Sequence, residues 1–256
     1  MSVSKDKKLK NLLEQWPSGV VATTAWLKSF GVTTQLTQRY LKSGWIKPLG
    51  RGAYKKATDT VEWYGALASI QQQLSLPVHL GGPTALAAQG LSHYLRMGKE
   101  RVFLFSMLHK KLPHWFLTYD WGQKIEHVKT SFLPENLGIK EEKYEGVHIK
   151  MSSRERAILE SLYLSPKHFD LLECYQILEG MYDIRPDVVQ ELLVACKTVR
   201  VKRLFLYMAS KASLPVLEYL DLSKIDLGRG DRSITEKGVY NAEYKISIPK
   251  ELAHYV

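Results

Sequence analysis

The sequence predicts an α+β protein in which an N-terminal winged helix-turn-helix precedes a larger mixed domain of a small antiparallel sheet and helices. Three observations predict it. Between residues 23 and 56, two short capped helices flank a glycine turn and lead into a glycine-tipped basic hairpin. Short β-prone runs broken by Gly and Pro follow between residues 101 and 151, and helical apolar periodicity dominates from residue 152 onward.

Ser4 can cap a first helix in which Leu9, Leu12, Leu13 and Trp16 recur at i, i+3, i+4 and i+7, and Pro17-Ser18-Gly19 ends it. Val20-Val21 is β-prone and can pair beside the wing strands. Thr23 or Thr24 caps a short helix with apolar Trp26, Leu27 and Phe30, and Gly31 supplies the left-handed residue that closes it. Thr33 or Thr34 caps the next helix, with Leu36, Tyr40 and Leu41 facing inward. Gln35, Gln38, Arg39 and Lys42 then share the outward face. In a major groove Gln pairs with adenine and Arg with guanine, while Lys neutralises phosphate, so this face has the chemistry of a recognition helix. Gly44 stops the helix. Trp45 to Leu49 and Ala53 to Lys56 read as strands around Gly50-Arg51-Gly52, and a cation at such a tip suits the minor groove or nearby phosphates. A polar helix face alone is ordinarily just solvated; the ordered set of four features favours recognition. The candidate DNA contacts are Thr34, Gln35, Gln38, Arg39, Lys42, Arg51 and Lys55.

Residues 60–76 read as a helix with Trp63, Leu67, Ile70 and Leu74 inward. Pro77 to Leu80 reads as a buried strand running into Gly81-Gly82-Pro83-Thr84, with Pro83 in the first turn of a helix through Ala88. A Gly-Gly turn at a helix start can bind an anion, yet neither GxxxxGK[ST] nor GxGxxG is present, and a tight strand-to-helix turn is the plainer reading. Arg101 to Ser106, Trp115 to Tyr119, Glu126 to Phe132 and Val147 to Met151 read as strands. Ser152-Ser-Arg-Glu155 forms a capping box opening a helix through Leu164. Helices at Asp170 to Met181, Pro186 to Lys197 and Arg200 to Ser210 follow, then a loop from Ile225 to Ser233 and a last strand marked by Tyr244, Ile246 and Ile248. Thr58-Asp59-Thr60 is the one plausible hinge. The domains are thus residues 1–60 for DNA binding, with helix 61–76 as an optional part, and 61–256, mixed to 151 and mainly helical from 152.

Charge agrees with this division. The chain has 36 Lys and Arg against 26 Asp and Glu, a formal net charge of +10. Residues 1–60 hold 11 basic and 3 acidic side chains, 61–150 hold 10 and 8, and 151–256 hold 15 of each. The surplus therefore sits on the winged segment. Such a footprint fits a polyanion, although a basic face alone would also suit an anionic membrane.

Cys174 and Cys196 are too few for a disulfide scaffold or a four-thiolate zinc site, which favours a reducing compartment. No signal core or membrane span is visible, so a cytoplasmic protein is expected. The histidines, His93 among them, are scattered without HExxH spacing, and no cofactor or metal is expected. Asp120 with Glu141 and Lys143 imitates the layout of metal-dependent nucleases, but Glu141-Glu142-Lys143 reads as a charged loop. Arg229 and Arg232 read as exposed charges on a turn.

Five stretches stand in order along the chain: Gly50-Arg-Gly-Ala-Tyr54, Leu80-Gly-Gly-Pro-Thr-Ala-Leu-Ala-Ala-Gln-Gly90, Ser153-Arg-Glu-Arg-Ala-Ile-Leu-Glu160, Val201-Lys-Arg-Leu-Phe-Leu206 and Tyr244-Lys-Ile-Ser-Ile-Pro249. With the winged unit to which the first of them belongs, they resemble the AbiEi antitoxins of type IV toxin-antitoxin systems, in the branch of transcriptional regulators. The resemblance implies a winged domain that binds repeats in the double-stranded promoter of its own operon and represses it. It also implies a larger domain that counters a nucleotidyltransferase-like AbiEii toxin, without a stable complex being required. It places the DNA-binding role on Gln35, Gln38, Arg39, Lys42 and Arg51 and supplies no catalytic motif. Two other readings stay open: a nucleic-acid-processing enzyme targeted by the winged module, and a regulator that senses a small ligand.

Overall fold

The computed structural model describes residues 3–91, 101–235 and 238–255, with side chains from Lys8 onward. His93 and the side chain of Ser4 lie outside the described residues. In chain order the first elements are α1 (Val3–Gln15), β1 (Ala22–Thr23), α2 (Thr24–Ser29), α3 (Thr34–Lys42), β2 (Ile46–Gly50), β3 (Ala53–Lys56) and α4 (Trp63–Gln73). Next come β4 (Val78–Leu80), α5 (Gly82–Ala88), β5 (Arg101–Ser106), α6 (His114–Thr118), β6 (Lys124–Lys129), β7 (Ile139–Tyr144) and β8 (Val147–Ser152). The remainder holds α7 (Arg154–Leu164), α8 (Leu171–Glu179), α9 (Pro186–Ala195) and α10 (Val199–Lys211). Two 3-10 turns (Pro215–Tyr219 and Leu222–Lys224) precede β9 (Arg232–Ser233), β10 (Val239–Asn241), β11 (Ile246–Ile248) and α11 (Lys250–His254). The chain divides into two compact units: Met1–Val78, His109–Ile125 and Glu141–Lys150 in the first, His79–Leu108, Glu126–Lys140 and Met151–Val256 in the second.

In the first unit β1, β3 and β2 form a sheet in that order, with Ala22 opposite Tyr54 and Thr23 opposite Ala53. The short strand at the wing is thus Ala22–Thr23, just after the Val20-Val21 pair. Leu12, Trp16, Ala22, Leu27, Val32, Tyr40 and Ile46 make the core beneath it, with Trp26 and Phe30 partly buried against them. The open edge of β1 is closed by side chains of α4 rather than by another strand. Ser69 Oγ accepts from Val21 N at 3.0 Å, and the Gln73 amide accepts from Thr23 N at 2.8 Å and donates to Val21 O at 2.7 Å. Gly65 makes this approach feasible, since a Cβ there would overlap the Gly19 carbonyl. From the same helix the buried Gln71 amide donates to the carbonyls of Val78 and Lys150 and accepts from Lys150 N.

The five-stranded sheet runs β6-β5-β4-β8-β7. Two expectations fail here. Trp115 to Tyr119, read as a strand, is largely α6: Trp115 and Phe116 are both buried while Leu117 and Thr118 are both exposed, a paired pattern that a helix produces and an alternating strand does not. The charged stretch Glu141 to Lys143, read as a loop, lies in the terminal strand β7, where charges are an ordinary protection of a sheet edge. The Glu145-Gly146 turn leading into β8 has both residues at positive φ (46° and 86°), as a two-residue hairpin turn requires. The sheet also contains a parallel pairing, β4 with β8 through Leu80 and Met151.

The second unit is organised around a buried carboxylate. Glu160 on α7 is fully buried. Its Oε1 accepts from Arg156 Nε at 2.7 Å and lies 2.9 Å from His79 Nε2, while Oε2 accepts from Gly82 N at 2.9 Å and Ser152 Oγ at 2.7 Å. Arg156 Nη1 in turn donates to the carbonyls of Pro134 and Leu137, both at 2.6 Å. Burial would push the Glu160 carboxyl up; the neighbouring His79 and Arg156 and their hydrogen bonds hold it well below the usual range instead. Burial also pulls the His79 imidazole down, while the Glu160 beside it works in the opposite direction. The Gly81-Gly82 turn therefore already cradles an anion, one supplied by the chain itself.

α7 begins one residue later than the capping-box reading places it: Ser153 is the N-cap and accepts from Arg156 N. Glu155 is bound by the Arg185 fork, Nε at 3.1 Å and Nη2 at 3.2 Å. Although burial opposes it, hydrogen bonds led by Arg185 lower its carboxyl to about 2. On α10 the buried Arg203 donates to the carbonyls of Leu227, Gly230, Lys245 and Gly228. The loop read from Ile225 to Ser233 is folded around that guanidinium and ends in β9, which pairs in parallel with β11.

Candidate nucleic-acid interface

Two local caps set the helix-turn-helix. Thr23 accepts from Trp26 N at 3.2 Å to start α2, and Thr33 accepts from Leu36 N at 3.3 Å to start α3. Between them Gly31 takes φ of 68° and Val32 N returns to Leu27 O at 3.0 Å, so the turn is held by its own backbone. Thr37 and Tyr40 are the buried residues of α3, with Leu36 and Leu41 packed at the margin. That leaves Thr34, Gln35, Gln38, Arg39 and Lys42 exposed, the last four on one face at helical spacing.

The wing hairpin is fixed at both ends. Gly52, at φ of 82°, presents its carbonyl to Thr24 N at 2.9 Å and Thr24 Oγ1 at 3.3 Å, which ties the tip to the start of α2. At the other side of the turn, a Cβ on Gly50 would come within 2.7 Å of Trp115 Cβ, so glycine lets α6 pack flat on β2. Arg51 is exposed on the turn between them. Lys55 is half-buried on β3 and stands directly opposite Lys47 of β2, which is exposed. Like charges facing each other across a hairpin repel, a cost that a polyanion would relieve. Lys47 was not singled out in the sequence reading; the strand register, not the residue type, is the signal that pairs it with Lys55. Among the described residues no carboxylate is paired with Arg39, Lys42, Lys47, Arg51 or Lys55, so this surface keeps its positive charge.

Other chemistry is sparse. Asp120, Glu141 and Lys143 are all exposed. Among the described residues no group of three His, Cys, Asp or Glu side chains could hold a metal ion, and no helix is long and apolar enough to cross a membrane. Cys174 and Cys196 are buried and form no disulfide.

Residues 99–249 match the family described as transcriptional regulator, AbiEi antitoxin, type IV TA system, and residues 5–97 match the AbiEi antitoxin N-terminal domain. The chain belongs to the AbiEi antitoxin family. Its fold is shared with the solved RV2827C protein from Mycobacterium tuberculosis, at a TM-score of 0.60 and 14% identity over 95% of this chain and 90% of that one. No curated protein matches the sequence. The motifs that carry the AbiEi resemblance now have structural work assigned to them. Those around Gly81-Gly82 and Arg156 to Glu160 meet at the buried carboxylate, and those around Arg203 and Lys245 meet where the guanidinium is wrapped in carbonyls.

Proposed function

We propose that this AbiEi protein is a cytoplasmic DNA-binding antitoxin that represses its own toxin-antitoxin operon through the winged segment and counters a nucleotidyltransferase-like AbiEii toxin through the rest of the chain. The observation that carries the first half is the exposed row of Gln35, Gln38, Arg39 and Lys42 on a capped helix beside a basic hairpin bearing Arg51, Lys47 and Lys55. Amides and a guanidinium read base edges, Thr34 and the lysines meet phosphates, and Arg51 reaches from the wing. Double-stranded promoter repeats are the partner of this surface. Residues 1–60 with α4 form the DNA-binding part and the remainder forms the antitoxin part. That remainder acts by binding or indirectly, not by catalysis, in keeping with the family and with the exposed, dispersed Asp120, Glu141 and Lys143.

A two-plasmid growth assay beside a promoter reporter tests this. The variant carrying Gln35→Ala, Gln38→Ala and Arg39→Ala should lose repression while still protecting cells that express the neighbouring toxin from an independent promoter. Loss of protection by a folded, expressed triple variant would show that the two activities share a surface and would refute the division of labour.

A further inference from the structure

A cavity of about 600 Å³ opens on the second unit, bounded by β5, β6, the end of α7 with the segment after it, and the start of α10. That volume is in the range of pockets that hold small molecules. Its apolar wall includes Phe103 and Tyr163, the latter fixed by stacking on Phe132 at 4.4 Å. Its polar wall carries two cations, Arg200 and Lys167, against one carboxylate, Glu126. Arg200 donates through Nη1 to the Ser165 carbonyl and through Nη2 to the Tyr163 carbonyl at 2.9 Å. These neutral acceptors position the guanidinium without cancelling its charge, and they leave about three of its five N–H bonds for another partner. Burial already pulls its pKa down, and among the described residues no carboxylate pairs with it. A half-buried cation held only by carbonyls gains from an anion brought to it.

His127, on the same strand as Glu126, borders the cavity and can report on its occupancy. His127 Nε2 lies 2.8 Å from Ser106 Oγ. Burial, with Lys129 adding to it, lowers His127 to about 4, and the ring is neutral at physiological pH.

We propose that this cavity binds a small phosphate- or carboxylate-bearing molecule, its oxyanion held by Arg200 and Lys167 and its amine or hydroxyl groups accepted by Glu126. The site is separate in sequence from the DNA-binding candidates and does not depend on that reading.

The test is imidazole-detected NMR on the full-length, histidine-labelled protein titrated with AMP, inorganic phosphate and benzoate. AMP should move the His127 resonances saturably and more tightly than inorganic phosphate, which lacks the donor-bearing body; saturation by benzoate instead would identify a carboxylate as the oxyanion. Arg200→Gln should weaken binding at least about tenfold and Lys167→Ala about threefold, as expected for losing charge-assisted contacts. Arg39→Ala should leave the titration unchanged. Should Arg200→Gln fail to fold, the Lys167→Ala titration decides. No saturable His127 response to any of the three up to about 10 mM, weaker than ordinary ligand affinities, would overturn the proposal. So would a response that Lys167→Ala leaves intact.

Discussion

Replacing Glu160 by Gln should cost the protein about 3 to 5 kcal/mol, the range for leaving one partner of a buried ion pair uncompensated. The structure explains why the near-isosteric amide does not rescue it. Four donors converge on the two carboxylate oxygens, from Arg156, His79, Gly82 and Ser152. An amide offers one oxygen to four donors, and its NH2 group must face N–H or O–H groups. Arg156 would keep the Pro134 and Leu137 carbonyls but lose its anion. Urea unfolding of the full-length chain at pH 7, followed by tryptophan fluorescence, measures the loss. The double variant Arg156→Met with Glu160→Leu should remain destabilised, because it takes the partners from Gly82 N, Ser152 Oγ and the Pro134 and Leu137 carbonyls. The pH dependence has a defined sign. Since the native carboxyl titrates below its ordinary 4.5, its contribution is present above that pH and is lost as pH falls through the lower native value. The gap between wild type and Glu160→Gln should therefore close in acid. A Glu160→Gln variant within about 1 kcal/mol of wild type at pH 7, the worth of a single ordinary hydrogen bond, would refute the account of this network.

Arg39→Ala should cost specific DNA binding about 1 to 3 kcal/mol if it reads a guanine, while Lys42→Ala should weaken all sequences alike and reduce the salt slope by roughly one unit. Fluorescence anisotropy at several salt concentrations separates the two, and unchanged affinity in both would remove α3 from the interface. Gly65→Ala should destabilise by about 1 to 3 kcal/mol or more, because its methyl overlaps the Gly19 carbonyl; thermal unfolding at wild-type temperature would contradict that packing. His127 should titrate near 4 by NMR. Because that value lies below the ordinary 6.5, the neutral ring's stabilising share is complete above pH 6.5 and falls away toward pH 4; a titration near 6.5 would place the ring in solvent.

The helix-turn-helix was legible because its determinants are local. Thr23, Gly31, Thr33 and Gly44 each act within a few residues, so caps and turns could be read without knowing what packs where. The exposure of Gln35, Gln38, Arg39 and Lys42 followed from the same periodicity. Features set by distant partners were not legible. Trp115 to Tyr119 is aromatic and β-prone, and only its burial beside Gly50 of β2 shows the helical phase. Glu141 to Lys143 reads as loop because an edge strand needs few apolar residues. The carboxylate in the Gly81-Gly82 turn comes from residue 160, and the cavity beside Arg200 is assembled from separated segments. Lys47 became a candidate only through its register with Lys55.

The side chains of Ser69 and Gln73 on the edge of β1 carry a consequence for anyone who shortens this chain. A fragment ending at residue 60 lacks both, and the Val21 and Thr23 amides and the Val21 carbonyl then face solvent along a strand that is otherwise buried. Such an edge recruits whatever strand is at hand, most readily the same edge of another copy. The shorter fragment should therefore self-associate with rising concentration, where residues 1–76 should not. What α4 supplies at this point is protection from aggregation, written in two polar side chains on a helix that never enters the sheet.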